Sequence, residues 1–409
     1  MEVLFFARHF PILSEGFVQQ QCAGLGELGV SLTVLAEGPY GADLTSPEVA
    51  DNDLLNHVRY HDIPPPGLRR LCSALGLVVT GPPAGLWRRL ALLNPWKVGP
   101  LAATLRLPFQ AASVSRCSRP DILHAHFGPI GAMVTALRQA GIVDAPLITT
   151  YYGYDVSRTI LGTSAWAYRR LFRTGDMHLV LSEAMRIRLQ QMGAPADRIA
   201  IHRLGVDLSL FHPSGPSLRS KLQVLSIARL VPKKGIADGL RAVAALAAQS
   251  PVHYTIVGDG PCLPELRALA VSLGIADCVT FLGWRLNSEV VERLHQADVL
   301  LVPSATAPDG DAEGTPVVVL EAQAAGIPVV ATRHAGIPEI VADRESAKLV
   351  AEHDWRGMKE SLAELTDPSL RRAMGEAGRA FVERHHDNRR LSRQLLALYE
   401  SVTVHRVSA

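Results

Sequence analysis

Glu313-Gly-Thr-Pro-Val-Val-Val-Leu-Glu321, continued by Ala-Gln-Ala-Ala-Gly-Ile-Pro-Val-Val330, is the stretch from which the rest of the chain can be read. Two carboxylates stand eight positions apart across what reads as a helix start. Thr315 suits an N-cap, and Pro316 suits the first helical position, where its missing N–H costs nothing. Gly326 then ends the helix and Pro328 prevents its continuation. This places Glu313 in the loop before the helix and Glu321 on the helix, roughly 7–8 Å along the axis from the helix start. A helix start offers unpaired N–H groups and a positive dipole end, which suit phosphate. Carboxylates beside it suit hydroxyls, and a nucleotide sugar carries both groups. Taken alone, the pair reads equally well as two acids that complement a helix dipole.

On either side of this stretch, short apolar or β-branched runs alternate with longer amphipathic ones. The runs are Val3–Phe6, Ser31–Leu35, Ile122–Ala125, Leu147–Thr150 and His178–Ser182, then Leu222–Ala228, His253–Val257, Val279–Leu282, Val299–Pro303 and Pro328–Ala331. Such alternation is the βαβ pattern of parallel sheets covered by helices. The Pro/Ser/Gly-rich segment His212-Pro-Ser-Gly-Pro-Ser-Leu divides the two sets. The expectation is therefore an α/β protein of two Rossmann-like, doubly wound domains, 1–212 and 213–386, facing across an interdomain cleft. The amphipathic segment 387–409 would be a helix packing back towards the first domain. Ligands of such sheets bind at the carboxyl ends of the strands, so the cleft is the expected site.

Composition excludes several classes. The 409 residues carry a net charge of +2, which makes no case for a nucleic-acid partner. The five cysteines are scattered, with no CxxC pair, which fits a reducing compartment and no structural zinc. Val3–Phe6 is preceded by no basic n-region, so the start does not read as a signal peptide. No apolar run is long enough to span a bilayer. These readings point to a cytoplasmic protein, and the basic region from Ile63 to Pro120 adds association with the inner face of the plasma membrane. One region departs from the average. From Ile63 to Pro120 there is no Asp or Glu, while Arg69, Arg70, Arg88, Arg89, Lys97, Arg106, Arg116 and Arg119 are interleaved with Leu86, Trp87, Leu90 and Trp96. That composition suits an anionic membrane or a lipid-phosphate acceptor. It suits equally an ordinary solvated face on core-packing helices.

Further motifs follow strand ends. Arg229-Leu-Val-Pro-Lys-Lys234-Gly can converge on one phosphate, with a guanidinium fork and a point charge. Gly258-Asp-Gly260-Pro permits close ligand approach or is a plain tight turn. There is no GxxxxGK[ST], so P-loop hydrolysis is not supported. Asp309-Gly-Asp311 could mimic a metal-binding carboxylate pair and is read as loop.

The order Arg229/Lys234, Gly258-Asp-Gly-Pro, Phe281-Leu282-Gly, Glu313/Glu321 resembles the donor half of the retaining glycosyltransferases of family 4, which have the GT-B fold. The first half agrees: Phe10-Pro-Ile-Leu-Ser14-Glu15-Gly16-Phe, His124-Ala-His126-Phe-Gly, Thr150-Tyr-Tyr152-Gly153-Tyr-Asp155, Ser182-Glu-Ala-Met and Gly205-Val-Asp207-Leu-Ser-Leu-Phe211. The resemblance covers essentially the whole chain. The FPxLSE start and the Asp309–Gly314 loop are similar to exopolysaccharide, colanic-acid-type members. The resemblance implies a metal-independent retaining transferase without a cofactor, using a nucleotide sugar and a saccharide or lipid-linked acceptor. Carried over, Glu313, Arg229, Lys234, His126 and Tyr152 are the implied catalytic residues. Glu321, Gly314, Thr315, Pro316, Val317, Gly258, Gly260, Leu282 and Gly16 would surround the donor, and Ser14, Glu15, Gly153 and Asp155 the acceptor. Tyr152 departs from the family pattern, which commonly has a sugar-contacting His there. A phenol has a reference pKa of about 10 and cannot share a proton as imidazole does near neutrality. Either Tyr152 replaces the contact, His126 reaches the same space, or activity is impaired. The last case would make the chain a non-catalytic GT-B binding or scaffold subunit of a polysaccharide assembly complex.

Overall fold

The computed structural model describes residues 1–12, 15–38, 54–81, 85–157, 164–213 and 219–407, apart from the side chains of 154, 157, 164–166 and 405–407. The chain divides into two compact units, one of residues 1–181, 185–202 and 392–409, the other of 182–184 and 203–391.

In the first unit the strands are β1 (Glu2–Phe6), β2 (Ser31–Ala36), β3 (Val58–Tyr60), β4 (Ile122–His126), β5 (Leu147–Thr150), β6 (Met177–Val180) and β7 (Ile199–Ile201). They form one sheet in the order β3-β2-β1-β4-β5-β6-β7, and every pairing is parallel. β4 and β5 are buried along their whole length, and β1 is buried from Val3 on, which is why they read as continuous apolar runs. Phe5, Phe10, Leu25, Val34 and Ile122 are central to a core that Leu395, Tyr399 and Val402 of the C-terminal helix complete. Those three recur at helical spacing, so one stripe of that helix is its packing face.

In the second unit the strands are β8 (Leu222–Ile227), β9 (Val252–Val257), β10 (Val279–Gly283), β11 (Val299–Val302), β12 (Val329–Thr332) and β13 (Ala347–Val350). Their order is β10-β9-β8-β11-β12-β13, again all parallel. Leu240, Val243 and Leu246 of the helix Ile236–Ala247 pack with Tyr254, Leu301, Met358 and Leu362 in its core.

Strand order reverses direction between β1 and β4 in one sheet and between β8 and β11 in the other. At such a switch point the loops leaving the two central strands turn to opposite faces and open a crevice at the strands' carboxyl ends. Three strands escaped the sequence reading: β3, β7 and β13. Each lies at a sheet edge, is three or four residues long and is partly exposed over most of its length, so none shows a continuous apolar run.

Candidate functional site

In the second unit the loop after β8 and the loop after β11 meet at the switch point. Gly235 has φ 61°, and a Cβ there would lie 1.8 Å from the Pro303 carbonyl oxygen, so only glycine allows the approach. Ala305 N–H donates to the Lys233 carbonyl at 2.9 Å. Side chains then bridge the same loops. Lys233 Nζ reaches Asp311 Oδ1 at 3.3 Å and the Ala312 carbonyl at 3.2 Å. Lys234 Nζ lies 2.9 Å from Glu313 Oε1, whose side chain is 8% exposed. Burial on its own raises the Glu313 carboxyl, but the ammonium groups of Lys234 and Lys233 outweigh it and hold the carboxyl below its ordinary range. Arg229, one residue beyond Ala228, is exposed.

The backbone of Glu313 is held from the other side. Its N–H donates to His334 Nε2 at 3.0 Å, and His334 Nδ1 lies 2.6 Å from Glu352 Oε1. Because Nε2 accepts, the proton sits on Nδ1 and is donated to Glu352. Glu352 Oε2 in turn accepts from Thr306 N–H at 2.8 Å. Burial works against ionisation of Glu352, yet the Thr306 N–H and His334 prevail and keep its carboxyl below the usual range. The loop carrying Glu313 is thus fixed by residues just beyond the ends of β11, β12 and β13. The sequence reading missed His334 and Glu352. Their one sequence signal is position, since each stands two residues past the end of a strand at the sheet's ligand-facing end.

The helix start differs from expectation by one residue. The helix is Val317–Ala324, and its N-cap is Pro316, with φ −71° and an extended ψ of 109°. Thr315 lies outside it and caps nothing. The proline finishes the extended loop instead of opening the helix. Thr315 Oγ1 is buried without a hydrogen-bond partner among the described residues. Gly326 takes a left-handed φ of 74° just past the helix, as its sequence position predicts. Gly314 is buried, and its carbonyl accepts from Gly336 N–H at 3.3 Å. Glu321 is half-buried on the helix, and Val317 is its first residue. Gly258 and Gly260 stand against backbone: a Cβ would meet the Ala228 carbonyl oxygen at 2.0 Å and that of Leu230 at 2.4 Å. They let the loop after β9 lie against the loop that carries Arg229. Leu282 is a half-buried residue of β10. Asp311 is the counter-ion of Lys233, and among the described residues no group of three or more His, Cys, Asp or Glu side chains could hold a metal ion.

In the first unit the loops after β1, β4 and β5 converge. His126 ends β4, is fully buried, and its Nδ1 lies 2.7 Å from Tyr152 Oη. Its Nε2 is buried with no partner among the described residues. Burial pushes the imidazole down to about 3, so it is neutral at pH 7. Tyr152 packs against the rings of Phe17 and Phe127, at centroid distances of 4.6 and 4.7 Å. Burial first, then the Glu15 and Asp155 carboxylates, raise its phenol well above the ordinary value. Glu15 precedes the helix Gly16–Glu27, makes no side-chain capping bond, and burial raises its carboxyl to about 7. A Cβ on Gly16 would meet nothing within 4 Å. Asp155 is fully buried. Its Oδ2 accepts from Gly128 N–H at 2.8 Å, and its Oδ1 from Tyr152 and Gly153 N–H at 2.9 and 3.1 Å. Burial raises its carboxyl to about 6 despite these bonds. Both oxygens are therefore engaged in joining the loop after β5 to the helix after β4. Ser14 lies outside the described residues. His124, two residues before His126, plays a structural part instead. Its ring nitrogens bond Tyr399 Oη at 2.6 Å and Thr150 Oγ1 at 2.7 Å, which ties the C-terminal helix to the sheet.

The second unit thus offers cations and a helix start suited to a phosphate-bearing ligand. The first offers, in His126 and Tyr152, neutral, buried hydrogen-bonding groups suited to hydroxyls. Two all-parallel units of this kind are the architecture of the GT-B glycosyltransferases. The model of the glycosyl transferase 4-like domain matches residues 15–205, and that of glycosyl transferases group 1 matches 211–381. The chain belongs to this glycosyltransferase family. It is 33% identical to the putative colanic acid biosynthesis glycosyltransferase WcaL of Escherichia coli K12, over 98% of this chain and 100% of the relative. It is 31% identical to the amylovoran biosynthesis glycosyltransferase AmsK of Erwinia amylovora, over 98% and 99%. Among solved structures, Anabaena HepE in complex with UDP is similar in fold, with a TM-score of 0.73, 19% identity and coverage of 98% and 100%.

Proposed function

We propose that the protein is a metal-independent, retaining hexosyltransferase that moves a sugar from a nucleoside-diphosphate sugar to a saccharide or lipid-linked acceptor in exopolysaccharide biosynthesis, at the inner face of the plasma membrane. The observation that carries this reading is the cluster of Lys233, Lys234, Asp311 and Glu313 across the switch point of the second sheet, beside exposed Arg229 and the start of the helix Val317–Ala324. The names of the full-length relatives support the pathway, and the UDP complex of HepE supports a nucleotide ligand.

Arg229 and Lys234 hold the diphosphate and neutralise the charge that it gains on leaving. Preorganised charge of this kind is commonly the largest catalytic contribution. As the diphosphate engages Lys234, the Glu313 carboxylate exchanges its ammonium partner for the transferred sugar near the reacting carbon. Glu321 binds the ribose hydroxyls. The bond from the anomeric carbon to the phosphate oxygen breaks, and the bond to the acceptor oxygen forms on the same face. The acceptor's proton passes to the leaving phosphate. His126 and Tyr152 serve as neutral partners of sugar hydroxyls, with Gly16 at the donor, and Ser14, Glu15, Gly153 and Asp155 shape the acceptor side.

Calorimetric titration with UDP-, GDP- and dTDP-sugars, paired with transfer and hydrolysis assays, tests this reading. One donor is expected to bind, and Glu321→Ala is expected to abolish binding while the fold is kept. Unchanged binding by that variant would overturn the donor assignment. Binding without transfer or hydrolysis would make the chain the non-catalytic scaffold subunit instead.

A further inference from the structure

The helix Leu68–Thr80 carries one apolar stripe that is broader than the part it buries, with Arg69, Ser73 and Thr80 on the opposite side. Ala74 and Val78 are buried, on the side that packs against the helix Leu107–Val114. On the adjoining part of the stripe Leu68, Leu71, Leu75 and Val79 stand at spacings of three and four residues and are 76, 39, 46 and 66% exposed. A helix normally buries its apolar stripe, so the uncovered part of this one calls for a partner. The next helix, Leu86–Ala91, packs against the first and repeats the feature, with Trp87 at 84% exposure and Leu90 at 40%. Trp96, shortly after it, is 89% exposed. An indole normally buries its large apolar body, so two such exposed tryptophans on one short segment need a partner.

The surrounding charge says which partner. Ile63 to Pro120 contains eight basic residues and no acid. Arg70, Arg88 and Arg89 are spent internally, on the carbonyls of Pro64 and Thr104, of Gly141 and of Gly81, and Arg106 is paired with Glu37. Arg69 and Lys97 are exposed and stand next in sequence to Leu68 and Trp96. Tryptophan and leucine in a segment that carries cations and no acid suit the headgroup region of a bilayer that contains anionic lipid, where the indoles enter the interface and the cations meet phosphate.

We infer that the surface made by the helices Leu68–Thr80 and Leu86–Ala91, together with Trp96, docks the protein on an anionic phospholipid bilayer. The inference deepens the reading of an inner-face transferase and rests on it for its biological sense, but the contact is a property of this surface alone. No helix among the described residues is long and apolar enough to cross a membrane, so this is a contact in the plane of the interface.

Co-sedimentation of the full chain with vesicles, in the absence of any donor, tests it. The protein is expected to sediment with phosphatidylcholine vesicles containing about 30% phosphatidylglycerol, and at least about tenfold less with phosphatidylcholine alone. The triple variant Leu75→Ser, Val79→Ser, Trp87→Ser is expected to lose at least about tenfold in partitioning. The pair Arg69→Gln, Lys97→Gln is expected to weaken binding and flatten its salt dependence. Circular dichroism and donor calorimetry on the same variants should match the parent chain, which separates failure of this surface from failure of the transferase reading. Equal partitioning of parent and triple variant would overturn the inference. So would no sedimentation with the anionic vesicles, or a dimer that the triple variant dissociates, which would make a second copy the occupant.

Discussion

Lys234 Nζ and Glu313 Oε1 lie 2.9 Å apart and join the loops after β8 and β11, the two strands that flank the switch point of the second sheet. Both side chains are largely shielded from water, at 20 and 8% exposure. Removing one partner leaves a shielded charge uncompensated, which costs more than a surface pair would.

Lys234→Ala is therefore expected to destabilise the protein by about 1–3 kcal/mol at pH 7, less than a fully buried pair because the ammonium is partly solvated. The pH dependence has a definite sign. The folded-state pKa of Glu313 is depressed, so its stabilising contribution is present above the unfolded value and is lost as pH falls through the folded one. The gap between parent and variant should thus shrink at acid pH. Urea denaturation at pH 7 and pH 4 reads both effects. The same variant should lose at least about a hundredfold in kcat.

His334 positions Glu313 through the backbone N–H and not through the carboxylate. His334→Ala should lower turnover roughly 10- to 100-fold by letting the loop shift. His334→Gln, which can present a carbonyl oxygen in place of Nε2, should recover part of the loss. Equal damage in both variants would show that the acceptor at this position is not what matters.

Tyr399→Phe removes the hydroxyl that bonds His124 Nδ1 in a fully buried pair. The expected cost is about 1–3 kcal/mol, for a buried polar atom left unpaired. Donor affinity should be unchanged, since the bond anchors the C-terminal helix. Chemical denaturation beside donor calorimetry separates the two.

Glu15 titrates near neutrality because burial raises its carboxyl to about 7. A raised carboxyl favours the fold fully below the unfolded value of 4.5 and loses that advantage as pH rises through about 7. Glu15→Gln should accordingly be more stable than the parent at pH 8, by about 1–3 kcal/mol, and equal to it near pH 4. Denaturant midpoints at the two pH values check the prediction.

The long central strands were legible because each is buried on both faces and so is written as an unbroken apolar run, as in Val3–Phe6 or Val299–Val302. The edge strands β3, β7 and β13 were not legible, since three or four residues, most of them partly exposed, make no apolar run, whereas the edge strand β10 is five residues long and was read. The stretch from Glu313 to Val330 disclosed its helix and terminating glycine, with the start displaced by one residue because Pro316 closes the loop. His334 and Glu352 were invisible as site residues, because a lone histidine and a lone glutamate in turns carry no spacing pattern.

The order of residues alone was enough to specify two sets of β–α units and the loops at which charge and glycine gather, because local periodicity and turn chemistry are properties of neighbouring residues. The partnerships had to wait for the fold. Lys233 reaches Asp311 across 78 positions, His126 bonds Tyr152, and Glu313 is held through His334 to Glu352. A hydrogen bond or ion pair requires atoms placed within about 3 Å. That placement is set by the parallel register of strands distant in sequence and by the close backbone approach that Gly235 permits, neither of which any local pattern encodes.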